Sequence, residues 1–286
     1  MKKDFQKLTS TFKNSIKTWD YFVNWQKVTG NVAEFEIILN KLNYLLGKSD
    51  LKKEFLTLYK TNPDVVKVFP TLLAVRESQV EVYDCVNRTI EIFDFNQKSQ
   101  LSAHDYFKFL KETNLVSLFK ESGVKNLVDY VYGVEVGLDS NGRKNRGGTI
   151  MERVVGEFVE KFCAEKGLEY MSQANAKTIA SRWGYQVLVD KSSRSFDFAV
   201  YNPKTKKLKL FETNFYNGGG SKLKAVCGEF KGLQDTLKTQ NIDFVWVTDG
   251  LGWKTTLRPL EEVYNHNDYI FNLSMLEAGI LDSMKW

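Results

Sequence analysis

Proline is scarce, four residues in 286, so few elements are broken by a ring that removes a backbone donor. Cysteine is scarcer still. Cys85, Cys163 and Cys227 are widely spaced, form no Cys-x-x-Cys pair, and have two histidines in the whole chain to join them. That argues against a disulfide framework and a zinc site, and sets the expectation of a reducing cytoplasm. No run of roughly 18 uncharged apolar residues occurs, so no membrane span is expected. The lysines near Met1 have no apolar stretch behind them, which argues against a secretory signal. A large excess of either charge is also absent: 40 basic residues face 35 acidic ones, and the net +5 permits a polyanionic partner without demanding one. What is present is an ordinary globular composition, 43% apolar and 26% charged, with many aromatics and enough length for two domains.

The first third reads as mainly helical. Residues 32–46 place Phe35, Ile38, Leu39, Leu42 and Leu45 at the spacing of one helix face, and Gly47 supplies a stop. A second helix is predicted from Ser49 or Asp50, and a third over residues 103–120. Residues 89–95 alternate like a half-buried strand. From Gly137 to Gly148 the chain is rich in glycine, asparagine and charge, which predicts a loop and a domain boundary near its start. The expected division is therefore a mainly helical domain over 1–136 and a second domain over 137–286. In the second, a helix over 149–166 precedes strands at 195–201, 208–215 and 243–248, with a helix over 221–238 between the last two. This is an α/β arrangement, a mixed sheet flanked by helices.

The informative segment is Ser195 to Phe215. Asn202-Pro203-Lys204-Thr205-Lys206 is a turn signal between two strand-like runs, hence a hairpin. With the turn centred between Lys204 and Thr205, Asp197 faces Glu212 directly, and Asn214 lies two residues further along the same face. Directly opposed like charges destabilise a sheet. A divalent cation shared by both carboxylates resolves the conflict, and Mg²⁺ suits one or two carboxylates plus waters and a phosphate. A slip of one residue would put the acids on opposite faces. The pair alone is equally compatible with two solvated strand acids.

The spacing from Asp197 to Glu212 and Asn214, on successive strands after a glutamate-bearing helix, resembles the PD-(D/E)xK nuclease core. Asn145-Arg-Gly-Gly-Thr-Ile-Met-Glu152, Asn214-Phe-Tyr-Asn-Gly-Gly-Gly-Ser-Lys-Leu-Lys224 and Val247-Thr-Asp-Gly-Leu-Gly-Trp253 narrow the resemblance to the DpnII/MboI-type restriction endonucleases, which cut duplex DNA at GATC. It covers about residues 137–255. The resemblance implies a type II restriction endonuclease that is Mg²⁺-dependent, is blocked by adenine methylation, and acts as a homodimer on a palindromic site. It implies that Asp197, Glu212 and the carbonyl of Thr213 hold the metal and that Asn214 positions the attacking water. Two positions depart from the pattern. Phe196 replaces proline, and Asn214 replaces the motif lysine, so the usual cation is missing. Lys222 or Lys224 are candidates to restore it.

Glu152 carries two readings. Thr149-Ile-Met-Glu152 fits a capping box, whereas the resemblance brings this glutamate toward the metal. Arg143, Arg146, Asn217, Gly219, Ser221, Lys222 and Lys224 are the candidate DNA contacts. The glycines at 218–220 serve either as a flexible turn or as a close approach to phosphate. Asp249 to Trp253 is expected to form a tight turn without chemistry, and His104 and His266 are expected to be structural or exposed. Two other functions compete: a repair or junction nuclease of the same fold, and a DNA-binding regulator without catalysis.

Overall fold

The structure is a computed structural model that describes residues 3–96, 100–189 and 193–286, with the backbone alone for Lys144 and Asn145. It forms two compact units: Asp20–Arg143, and the residues up to Trp19 together with Lys144–Trp286. The opening helix α1 (Phe5–Ser10) belongs to the second unit, whereas the sequence predicts these residues in the helical domain. Leu8 and Phe12 enter that unit's apolar core, and Asn272 Nδ2 donates to Leu8 O at 2.7 Å.

The unit of residues 20–143 is mainly helical. α2 (Trp25–Leu42) starts ahead of the predicted residue 32 because the Asn24 side chain accepts from the Lys27 N–H and caps it there. α3 (Leu51–Thr61) is capped by Asp50, as the sequence suggests. α4 (Phe69–Leu72) is followed by the hairpin β1 (Gln79–Asp84) and β2 (Thr89–Asp94). The helix predicted over 103–120 is two helices, α5 (Ala103–Glu112) and α6 (Leu115–Lys120). Asn114 interrupts them in the left-handed region at φ 59°.

The loop expected over 137–148 is helical. α7 (Leu127–Asn141) runs to Gly142, and α8 (Arg143–Lys166) starts at the next residue. Gly142 has right-handed backbone angles, φ −69° and ψ −11°, so its conformational freedom is not used. Each glycine costs a helix about 1 kcal/mol relative to alanine, and tertiary anchoring outweighs this. Buried Glu135 accepts from Asn31 and Arg76, each at 2.7 Å, and Asp139 accepts from the Asn24 N–H at 3.0 Å. Along α8, Met151, Val155 and Val159 sit in the core of the other unit.

That unit carries the sheet. β3 (Glu169–Asn175) leads through α9 (Ala176–Trp183) to the hairpin β4 (Ser195–Asn202) and β5 (Lys207–Phe215). α10 (Ser221–Lys238) crosses to β6 (Asp243–Asp249), and α11 (Leu257–His266) crosses to β7 (Tyr269–Phe271). α12 (Leu273–Glu277) follows. The strand order is β3-β4-β5-β6-β7. β4 is antiparallel to both of its neighbours, β3 and β5, while β5, β6 and β7 run parallel. A mixed sheet with flanking helices is the architecture expected from sequence. Phe230 of α10 meets Phe244 and Trp246 edge-on, with ring centroids 5.3 and 5.0 Å away. Gly156 lets α8 approach β4 closely, since a methyl group there would sit 3.3 Å from the Phe198 ring.

Candidate active site

The β4–β5 hairpin takes the predicted register. Its ladder runs from Asn202 paired with Lys207 to Phe198 paired with Phe211, and the same register carried one step outward opposes Asp197 and Glu212. The turn explains this register: Asn202 Oδ1 accepts from the Lys204 and Thr205 N–H groups, and Lys206 takes the left-handed conformation. At Asp197 the ladder stops. The Thr213 N–H and Oγ–H both donate to Asp197 Oδ2, at 2.7 and 2.8 Å. The other oxygen of that carboxylate is left for a further partner.

Burial pushes the Asp197 carboxyl up from its ordinary range, against the downward pull of the two Thr213 bonds. Glu212 is affected more strongly. Burial first, and then the Asp197 charge, raise it to about 8. No group among the described residues donates a hydrogen bond to Glu212. Burial and Asp197 raise Glu152 on α8 as well, and the bond from Gln173 Nε2 to Glu152 Oε2, at 2.8 Å, opposes them. Burial is the first cause of all three shifts, since it disfavours the charged form of each acid.

The capping-box reading of Glu152 does not hold. α8 begins at Arg143, so Thr149 lies inside the helix rather than at its cap, and the glutamate side chain engages Gln173 instead. Asn214 is oriented from behind: the Trp246 indole N–H donates to its Oδ1 at 2.8 Å. That leaves the Nδ2 hydrogens as the free end of the carboxamide.

The cation whose field reaches Glu212 is Arg194, just before β4. Its guanidinium is 7% exposed and bonds Glu229 of α10 at 2.7 Å. Neither Arg194 nor Glu229 was singled out by sequence, because no fixed spacing links residues from a loop and a later helix. Lys222 and Lys224 are exposed on the first turn of α10, beside Ser221. Of the two lysines of β5, Lys209 is fully buried but engages Asp243, under the rings of Tyr269 and Trp286.

Among the described residues, no group of three or more His, Cys, Asp or Glu side chains forms a ready metal cage. Asp197 and Glu212 are a pair, which is the number Mg²⁺ needs when waters complete its shell. Two hard oxygen donors, both raised by burial and one of them also by the other's charge, fit a divalent cation.

Of the remaining candidates, Arg143 Nε donates to the Phe22 carbonyl at 3.0 Å, and Arg146 lies in the first turn of α8. Asn217 is exposed. Gly219 has a packing reason to lack a side chain, because an added Cβ would collide with Thr255. The turn expected after β6 is present, with Trp253 buried. Buried Asp249 accepts from the Lys13, Gly250 and Leu273 N–H groups, and the Trp253 indole donates to Thr248 Oγ1 at 2.8 Å. Side chains at Gly250 or Gly252 would strike the carbonyl of Tyr216. His266 contacts Asp235, away from these acids.

A mixed sheet carrying paired acids on adjacent strands is an arrangement used for phosphodiester hydrolysis, and comparison with known proteins agrees. The chain belongs to the DpnII restriction endonuclease family, whose model matches residues 4–283. It is 44% identical to the type II restriction enzyme MjaIII of Methanocaldococcus jannaschii, over 97% of this chain and 98% of that one. It is 37% identical to MboI of Moraxella bovis, over 98% and 96%, and 34% identical to DpnII of Streptococcus pneumoniae, over 99% of each. Both are also type II restriction enzymes. No solved structure gives a significant match. The chain is a type II restriction endonuclease. No described helix is long and apolar enough to cross a membrane.

Proposed function

We propose that this endonuclease is of the PD-(D/E)xK type and hydrolyses duplex DNA at GATC, with Mg²⁺ held by Asp197, Glu212 and the Thr213 carbonyl. The observation that carries this reading is Glu212: a half-buried carboxylate, raised by the Asp197 charge, whose side chain receives no hydrogen bond from the described residues. A carboxylate kept there without a partner is costly, and a bound cation supplies the missing counter-charge. When bound, Mg²⁺ polarises the scissile phosphate and lowers the pKa of a water.

The chain's own residues do the rest. Thr213 holds the Asp197 carboxylate in one orientation through two donors. Asn214, fixed by Trp246, presents its amide hydrogens and orients the nucleophilic water through that water's oxygen. Arg194, buried beside Glu229, supplies positive charge near Glu212 where the motif lysine is absent. Arg143, Arg146, Asn217, Gly219, Ser221, Lys222 and Lys224 contact the DNA. A palindromic site calls for two copies of the chain related by a two-fold axis. A methyl group on adenine N6 displaces a major-groove hydrogen bond and blocks cutting. The work is done in the cytoplasm, where the three free cysteines stay reduced.

The test is plasmid digestion, with and without Mg²⁺, on adenine-methylated and unmethylated DNA. Discrete fragments ending at GATC, from unmethylated DNA and only with Mg²⁺, are expected. Asp197→Ala should bind the same DNA without cutting it. A smear or branch-specific nicking would point to a repair or junction nuclease instead. Equal inactivity of the parent and Asp197→Ala would point to a regulator.

A further inference from the structure

Gln173 stands out for its backbone. It lies inside β3, yet its φ is +49°, in the left-handed region that side chains other than glycine rarely adopt. The β3–β4 ladder pairs Ser172 with Phe198 and Ala174 with Phe196, and it omits the position between them, where Gln173 faces Asp197. The ladder on the other side of β4 also lapses at Asp197. The sheet is therefore interrupted at the residue opposite the first acid. Strain of this kind persists when surrounding structure enforces it, and it concentrates at functional sites.

The interruption has a product. The Gln173 carboxamide leaves the strand's alternation and donates to Glu152 Oε2 on α8, at 2.8 Å. Because Gln173 stands opposite Asp197, this bond brings Glu152 toward Asp197, and the charges of both push Glu212 up on the next strand. Arg194 and Glu229 are the other charges that reach Glu212. A carboxylate facing other carboxylates tends to swing toward solvent, and a neutral donor restrains it without adding charge.

We propose that Gln173 is a positioning residue that holds Glu152 toward the Asp197–Glu212 pair, fixing where this third charge stands at the edge of the cation and water site. The inference rests on the nuclease reading above and extends it to a residue outside every motif in the sequence. Partners that orient a ligand's outer contacts commonly change metal affinity or activity 10- to 100-fold when removed.

Three variants test it. Gln173→Gly removes the left-handed penalty and the donor together, so it should melt at or above the parent's temperature while needing about tenfold more Mg²⁺ for half-maximal cutting. A purely structural residue would not separate the two measurements in opposite directions. Gln173→Glu keeps the shape at this exposed position but replaces the donor with a fourth charge, and it should cut more slowly than Gln173→Ala. Gln173→Ala added to Glu152→Gln should cost little beyond Glu152→Gln alone, since the amide then has no carboxylate to hold. The inference is overturned if Gln173→Gly and Gln173→Glu both cut at the parent's rate with the parent's Mg²⁺ requirement, in a preparation where the parent cuts and Asp197→Ala does not. If the parent itself fails to cut with Mg²⁺, the nuclease reading falls and this one falls with it.

Discussion

The indole N–H of Trp246, on β6, donates to Oδ1 of Asn214, on β5, at 2.8 Å. Trp246 is fully buried, so the orientation of Asn214 is set from the core outward. Asn214→Ala should lower the cleavage rate about 100-fold, the order expected for loss of one oriented donor, while leaving DNA binding near the parent's. Trp246→Phe should lower it less, and should cost about 1 kcal/mol of stability through the lost hydrogen bond. Single-turnover cleavage and thermal melting of both variants check this.

Stability without divalent cations should fall as pH rises. Glu212 ordinarily releases its proton near 4.5 but holds it to about 8 in the folded protein. Between those values the folded state binds a proton that the unfolded chain has lost, so stability present below about 4.5 is progressively lost as pH climbs through about 8. The raised carboxyls of Asp197 and Glu152 act in the same direction. The slope should be at most about 1.4 kcal/mol per pH unit for each group. Melting curves in EDTA at mildly acidic and mildly basic pH should show it. Glu212→Gln should flatten the dependence, and Mg²⁺ should restore more stability to the parent at the higher pH.

Asp249 ties the amino-terminal segment to the ends of β6 and α12 through the N–H groups of Lys13, Gly250 and Leu273, at 2.6, 2.6 and 3.0 Å. Asp249→Ala leaves three donors unmatched in a buried place. A loss of about 3 kcal/mol or more is expected, read by urea unfolding. At a temperature where the variant is still folded, it should retain cleavage. A folded but inactive variant would instead assign Asp249 a part in the chemistry.

Gly219 separates packing from DNA contact. Gly219→Ala should destabilise the chain by about 1–3 kcal/mol, because its methyl group meets the side chain of Thr255. Adding Thr255→Gly removes the obstacle and should restore most of the melting temperature. If cleavage returns with it, the glycine is needed for packing. If stability returns and cleavage does not, the open backbone is needed by the DNA.

Local chemistry accounts for what could be read from the residues alone. The turn at 202–206 lies between strands only a few residues away, so its Asx geometry and left-handed Lys206 set the hairpin register, and with it the meeting of Asp197 and Glu212. α10 was equally legible, spanning Ser221–Lys238 as expected, because its apolar spacing and preceding glycines are local signals. Tertiary packing decided the rest. Glycines 137 to 148 look like a loop until buried Glu135 and Asp139 find partners more than 50 residues distant, which hold the backbone helical. Gln173 in front of Glu152, Arg194 against Glu229 and Trp246 behind Asn214 are likewise pairs 21 to 35 residues apart. No periodicity or motif connects them, since each distance depends on how whole elements stack. The amino-acid order by itself determined which acids meet across the hairpin; folding in three dimensions determined which neutral and basic groups surround them.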